Sequence, residues 1–416
     1  WRCGRCQERP HQQKDSQSRG HSLQREAITQ VLGSRDNHRG RTISAVSGPP
    51  GTGKTFTSTH LAAMAAYGYK KEGIAKKVFI FTPTNKTAED ITRQMADIRD
   101  PEGGRISTVW ATARSYMSMV AQDVYGNTLK GASINPPPGH QQPLGTQQQA
   151  RLKELDDKHR QRKGLREEEL ALFRNLLKAA AKRTVDTCQV VVMTIPQAAI
   201  PALRDQSVGL AIVEEAGLIS EAEAHLAMAT APDQMAIVGD QQQMKARTVS
   251  SDIKKLQAQP LFHRWIDKIP TVTMTEQSRA PAACFGPANK AFYDNRLQSK
   301  DAVEKVRLAD NTTAGTWKDP RMPLVWLESM HKEGKLKGEY SYRNEGEAKL
   351  CAHTVKKLLS ESNGVFTEND IGVITMYKAN VECIREQIQS ERIQLADDKR
   401  SGVSVNTVDC YQGLQR

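Results

Sequence analysis

Gly48-Pro49-Pro50-Gly51-Thr52-Gly53-Lys54-Thr55 is a glycine-rich octet near the start of the chain. It matches G-x-x-x-x-G-K-[ST], the pattern of a loop that wraps phosphate. The run before it, Thr42-Ile43-Ser44-Ala45-Val46-Ser47, is apolar and β-prone, and Phe56 to Ala66 after it reads as a helix. The strand–turn–helix context that the pattern requires is therefore present. Gly51 and Gly53 let bare backbone N–H groups close around a phosphate, and the helix start adds the positive end of its dipole. Gly48, Pro49 and Thr52 complete the loop. Lys54 is expected to reach the β- and γ-phosphates, and the Thr55 hydroxyl to ligate Mg2+.

Outward from the loop the alternation continues. Lys77-Val78-Phe79-Ile80-Phe81 predicts a short buried strand that ends at Thr82-Pro83-Thr84-Asn85, and Lys86 to Met95 predicts a helix. Val190 to Thr194, Leu210 to Val213 and Met235 to Gly239 predict further buried strands. Strands alternating with helices specify an α/β fold with an open parallel sheet, which binds ligands at the carboxyl ends of its strands. Pro136-Pro137-Pro138-Gly139 and the Gln-rich stretch to Gln149 read as an exposed loop. Ala150 to Lys182, dense in Lys, Arg, Glu, Leu and Ala, reads as one long helix or a helical hairpin inserted into the first domain. After about Pro270 the α/β pattern starts again, with strands at Leu324 to Leu327, Gly372 to Thr375 and Val403 to Val408 and a helix from Glu345 to Leu359. Residues 1–20 are polar and Gln-rich and read as loose, with a helix starting at His21.

A chain of 416 residues suffices for two or three domains. No apolar run approaches the roughly 18 residues of a membrane span, so no membrane partner is expected. A net charge of +12 and a pI near 9.3 favour a polyanionic partner, because released counterions drive phosphate binding. The 7 scattered cysteines fit a reducing compartment, cytoplasmic or nuclear. Cys3 and Cys6 form one C-x-x-C, but only His11 and His21 follow, so no zinc site is expected within this chain. The first residue is Trp1, and the sequence reads as lacking its natural start.

The residues around the loop narrow the chemistry. Glu214-Glu215 follows the strand Leu210 to Val213. An acidic pair at a strand end can put one carboxylate on Mg2+ and the other on an attacking water. In Gly239-Asp240-Gln241-Gln242-Gln243-Met244, after the next strand, Asp240 and Gln243 can sense a γ-phosphate. Gln277 and Arg279 stand at the start of the second half, where Arg279 could reach across and neutralise γ-phosphate charge as an arginine finger does.

With these residues in order, the chain resembles a superfamily 1 helicase, in the branch of the nonsense-mediated-decay helicase. The resemblance runs from about Ser22 to Arg416. Ser22-Leu23-Gln24 resembles the adenine-reading segment, with Gln24 as the purine-specific amide. Residues 81–91 and 191–199 resemble the nucleic-acid-contacting segments, and 211–217 stands where the family has an Asp-Glu-Ala box. Residues 239–244, 275–281, 292–297, 341–348, 371–379 and 405–413 match the motifs that follow. The resemblance implies two tandem RecA-like domains, about 21–265 (with the helical insertion at about 130–183) and 266–416, with ATP and Mg2+ between them. It also implies Gln412 and Gly413 near the nucleotide. A single strand, RNA before DNA, would be tracked 5′-to-3′ by Thr82, Thr84, Asn85, Thr194, Tyr377, Lys378 and Thr407.

Three positions depart from the family pattern. Glu214 replaces an Asp, and octahedral Mg2+ tolerates a displaced carboxylate badly. Ser278 replaces a Tyr that packs on the base. The family continues past Gly413 into a strand and a motif with a second arginine finger, so the chain is expected to be a fragment of a longer helicase or a decayed copy. The leading expectation is an ATP-dependent helicase. The alternatives are an ATP-gated or inert clamp on RNA or on a protein, and a phosphate-loop NTPase that remodels proteins.

Overall fold

A computed structural model describes residues 16–37, 40–111, 146–160, 165–199, 201–246, 260–304, 324–335, 341–362, 364, 366–396 and 401–411. Backbone contacts divide the chain into two units, Trp1–Arg279 and Ala280–Arg416.

The first unit is built on seven strands: β1 (Thr42–Ser47), β2 (Lys77–Thr82), β3 (Thr108–Ala111), β4 (Val190–Thr194), β5 (Val208–Val213), β6 (Gln234–Gly239) and β7 (Thr271–Thr273). They form one sheet in the order β3-β4-β2-β5-β6-β1-β7, and every neighbouring pair is parallel. A parallel sheet has both faces covered, which is why its strands read as continuous apolar runs. The alternation of side chains along β2 divides them between the two layers. Phe79 and Phe81 join Val191, Met193, Val213 and Ile237 on one face. Val78 and Ile80 join Val46, Val192, Leu210 and Ile212 on the other. That second face is covered by Leu61 of α2 (Lys54–Lys71), by Ile91 and Met95 of α3 (Asn85–Asp97), and by Ala27 and Val31 of α1 (Ser16–Asn37). Each such large aliphatic side chain, fully buried, contributes about 1.5–3 kcal/mol. Because all strands run the same way, the ends at Ser47, Thr82, Thr194, Val213 and Gly239 share one edge of the sheet.

Three expectations change, and one is decided between its two alternatives. α1 begins at Ser16, so residues 16–20 are helical where a loose segment was expected; the apolar anchors Ala27 and Val31 hold a helix whose polar start has adequate propensity to extend it. The inserted region is a pair of helices, Thr146–Arg160 and Glu167–Thr187, joined by the Lys158–Glu169 ion pair at 3.1 Å, which selects the hairpin over one long helix. The division between units falls after Arg279 instead of at 265/266, because β7 pairs with β1 and keeps that segment in the first sheet. Leu324–Leu327 forms no strand; no described strand lies beside it as a ladder partner, and Trp326 is 91% exposed.

In the second unit the strands Gly372–Thr375 and Ser404–Thr407 pair in parallel. The helices Glu345–Glu361 and Lys378–Ser390 cover them through Ala352, Val355, Ile384 and Ile388, packed on Val403 and Val405. Asn344 caps the first helix, accepting from Glu347 N at 3.0 Å. Val408 already belongs to a short helical turn, so the last strand is shorter than expected.

Candidate nucleotide-binding site

The chain leaves β1 at Ser47 and turns through residues 48–53 into α2. Gly51 and Gly53 have φ of 81° and 88°, a region that side chains rarely enter. Space excludes side chains as well. A Cβ on Gly51 would lie 2.6 Å from the Cβ of Arg279, and one on Gly53 2.5 Å from Nε2 of Gln24. Gln24, from α1, and Arg279 therefore both border the loop.

Neighbouring strand ends tie the loop down. Gly48 N donates to Gly239 O at 3.1 Å, Met274 N to Ser47 O at 2.7 Å, and Ser278 N to Gly51 O at 2.9 Å. The Ser278 hydroxyl donates to the same carbonyl at 3.2 Å. Gln277 is buried, and its Oε1 accepts from Arg279 N at 2.8 Å. Thr52 Oγ1 donates to Pro49 O at 2.8 Å. Lys54 is buried too, with Nζ donating to Gly48 O at 2.7 Å and to Pro49 O at 3.3 Å. The ammonium thus lies folded on the loop's own carbonyls. The first turn of α2 carries no acidic residue to offset its positive end.

β5 delivers the acidic pair. Glu214 N donates to Phe81 O at 2.8 Å, carrying the ladder one residue past the strand. Its carboxyl group is fully buried, and neither oxygen has a hydrogen-bond partner among the described residues. Burial pushes its pKa up to about 7; the adjoining Ser58 hydroxyl opposes that, the Glu215 charge adds to it, and the Lys54 charge opposes it. A buried carboxylate without a partner is costly, and a cation removes that cost. Glu214 with Thr55, in the first turn of α2, fits Mg2+, which takes one or two protein oxygens and completes its shell with phosphates and water. No group of three or more His, Cys, Asp or Glu side chains among the described residues could hold a metal by itself.

Glu215 sits at φ 50°, a strained conformation for a residue other than glycine, and leads into the turn Ala216–Leu218. The turn after β6 packs on it: a Cβ on Gly239 would lie 3.2 Å from Gly217 N. There the buried Asp240 accepts from Gln242 N and from Gln243 Nε2, each at 2.9 Å.

The structure thus brings Gln24, the loop, Glu214, Glu215, Asp240, Gln243, Gln277 and Arg279 to one edge of the first sheet. Gln277 and Arg279 were expected in the second half, with Arg279 reaching across. They belong to the first unit and adjoin Gly51, because β7 returns the chain beside β1 before the division. Ser58 and Met274 were not anticipated, and Ser278 only as the place of a missing Tyr; a serine inside a helix and a residue just after a three-residue strand carry no motif that would single them out.

The expected strand-contacting residues fall in both units. Thr82 and Thr194 are register partners at the ends of β2 and β4. Thr82 is buried, with its hydroxyl donating to Thr84 O at 3.0 Å, and Thr84 caps α3 by accepting from Thr87 N at 3.1 Å. Asn85 is exposed. In the second unit Tyr377 is 44% exposed and precedes the helix that Lys378 begins, and its ring centroid lies 5.3 Å from that of Tyr342. Thr407 pairs with Thr375 at the end of the two-stranded sheet. Cys3, Cys6, Gln412 and Gly413 lie outside the described residues.

Known proteins are similar to this chain over most of its length. Two family models described as AAA domain match, one over residues 21–122 and 113–251, the other over 257–416. ATP-dependent helicase upf1 of Schizosaccharomyces pombe is 25% identical over 94% of this chain. ATP-dependent helicase NAM7 of Saccharomyces cerevisiae is 24% identical over 95%, and the regulator of nonsense transcripts 1 homolog of Arabidopsis thaliana 24% identical over 90%. The chain spans 40%, 37% and 28% of the lengths of these relatives. The crystal structure of T4 UvsW is similar at a TM-score of 0.31 and 10% identity, over 91% of this chain and 52% of that one. With the phosphate loop, its acidic pair and the matched order of motifs in place, the chain belongs to the AAA domain family, as a superfamily 1 helicase core like those of the regulators of nonsense transcripts.

Proposed function

We propose that this chain binds ATP at the edge of the first sheet, hydrolyses it, and couples hydrolysis to movement along single-stranded nucleic acid, RNA before DNA. The observation that carries the reading is the buried, unpartnered Glu214 beside the phosphate loop that holds Lys54. On binding ATP, Lys54 exchanges the loop carbonyls for β- and γ-phosphate oxygens. Gln24 hydrogen-bonds the adenine edge. Thr55 and Glu214 would hold Mg2+, which would supply charge neutralisation to the phosphates. Glu215 accepts the proton of the attacking water, and Gln243, anchored on Asp240, orients that water against the γ-phosphate. Arg279 lies beside Gly51, where its charge stabilises the negative charge that develops on the phosphates. Thr84, Asn85, Tyr377, Lys378 and Thr407 contact the backbone and bases of the strand, which gives little sequence preference. The strand's polyanion matches the net charge of +12. No described helix is long and apolar enough to cross a membrane. The scattered cysteines suit a reducing compartment, and the proposed one is cytoplasmic or nuclear.

A second reading, a clamp that binds ATP and RNA without turnover, is favoured by the identity of Glu214, whose arm is one methylene longer than that of an Asp and displaces a carboxylate that octahedral Mg2+ holds to strict geometry. Binding of a labelled single strand, with and without a non-hydrolysable ATP analogue and across a salt series, tests both. Under the proposal the analogue changes strand affinity and the affinity falls steeply with salt. Strand binding that ignores the analogue, together with no turnover, supports an inert clamp; no strand binding at all removes nucleic acid from the account.

A further inference from the structure

Three hydroxyl residues follow one another on α2. Thr57 Oγ1 donates to Gly53 O at 3.0 Å and Thr59 Oγ1 to Phe56 O at 2.9 Å, so both close on their own helix. Ser58 does not. It is 1% exposed, and its Oγ has no hydrogen-bond partner among the described residues. It stands one helical turn beyond Lys54 and Thr55. Leu210 and Ile212 of β5 lie on the face of the sheet that α2 covers, and Glu214, which continues the ladder, follows their alternation onto that face, where its fully buried carboxyl group also has no partner among the described residues. A buried donor and a buried acceptor thus share one face of the sheet, each unsatisfied, where buried polar groups are as a rule paired.

We propose that Ser58 is a positioning residue for nucleotide hydrolysis: its hydroxyl donates to one oxygen of the Glu214 carboxylate and leaves the other turned toward the Mg2+ of a bound Mg–nucleotide. The inference rests on the reading of Glu214 as the carboxylate that faces Mg2+. Glutamate has one more torsion than aspartate, so its carboxylate has more orientations to lose before it meets a metal of strict octahedral geometry. A fixed donor on α2, the same helix that carries Thr55, removes those orientations. Partners of metal-facing groups act in this way elsewhere, and their loss weakens metal affinity by about 10–100-fold.

The test uses Mn2+ as the probe, followed by electron paramagnetic resonance on the whole chain with a non-hydrolysable ATP analogue. Metal-free analogue binding and a thermal melt are measured alongside. Ser58→Ala is expected to weaken Mn2+ by about 10-fold or more while metal-free analogue binding is unchanged. Ser58→Thr, which keeps the hydroxyl, is expected to retain most of the affinity. Should Ser58→Ala fail to fold, Ser58→Cys, a near-isostere with a weak donor, is expected to weaken Mn2+ in the same direction. Equal Mn2+ affinity in the wild type and the hydroxyl-lacking variants overturns the role of Ser58 and leaves the metal reading intact. Equal losses of metal-free and metal-bound nucleotide reduce Ser58 to packing and also overturn it. A wild-type chain that binds the analogue but takes up no Mn2+ overturns the metal reading itself, and the Ser58 role with it.

Discussion

Nε2 of Gln24 lies 2.5 Å from where a Cβ on Gly53 would stand. The amide of α1 therefore closes on the last glycine of the phosphate loop, at the residue whose φ of 88° starts α2. Gly53→Ala meets both obstacles, a left-handed backbone and an occupied volume. It is expected to lower the melting temperature and abolish nucleotide binding, as read by thermal melting and by titration with a fluorescent ATP analogue. Retained affinity would show that the loop has freedom its packing denies. Gln24→Ala leaves the loop intact and is expected to relax the preference for adenine; an equal loss for all four nucleotides would remove Gln24 from base reading.

Glu215→Gln is expected to keep ATP binding and to lower turnover by about 10²–10⁴, the usual contribution of a positioned general base. The strained φ of 50° is a property of the backbone and stays, so folding changes little. Turnover at the wild-type rate would take Glu215 out of the mechanism.

Glu214 links stability to pH. Its folded pKa of about 7 lies above the ordinary 4.5, so the protonated form is the one the fold favours. The stability it contributes is fully present below pH 4.5 and is lost as pH rises through 7. The loss is about 3 kcal/mol by linkage. Glu214→Gln, neutral at every pH, is expected to melt about 5–10 °C above the wild type at pH 8 in the absence of nucleotide and metal. At pH 4.5 the two should melt together. A gap that does not change with pH would contradict the buried, unpartnered carboxylate.

Much of this was legible in the sequence, for physical reasons that differ from element to element. The strand around Val46, the loop and α2 were legible because a glycine pattern, an apolar run and a helix start all had to coincide, and they do. β2, β4, β5 and β6 were legible because strands buried on both faces are continuous apolar runs. β7, only Thr271–Thr273, is too short to carry a pattern, and missing it moved Gln277 and Arg279 to the wrong unit. Leu324–Leu327 misled for the opposite reason: apolarity predicts burial, but a strand also needs a neighbour to pair with. Ser58 was illegible because nothing local marks it; its meaning comes from Glu214, more than 150 positions away in the sequence.

Asp240→Ala tests the turn after β6. It removes the acceptor for Gln243 Nε2, and with it the anchor that orients Gln243. The expected result is a fall in turnover larger than the loss in ATP affinity, seen by comparing steady-state rates with analogue titrations. Parallel losses in the two would reduce Asp240 to a structural role.

If the Lys54 loop and Glu215 form one ATPase driven by a single strand, steady-state MgATP turnover with and without single-stranded RNA, in the wild type and Lys54→Ala, will show it. Turnover is expected to rise when the strand is added and to disappear in Lys54→Ala. Turnover indifferent to the strand, or equal in the two proteins, would contradict it.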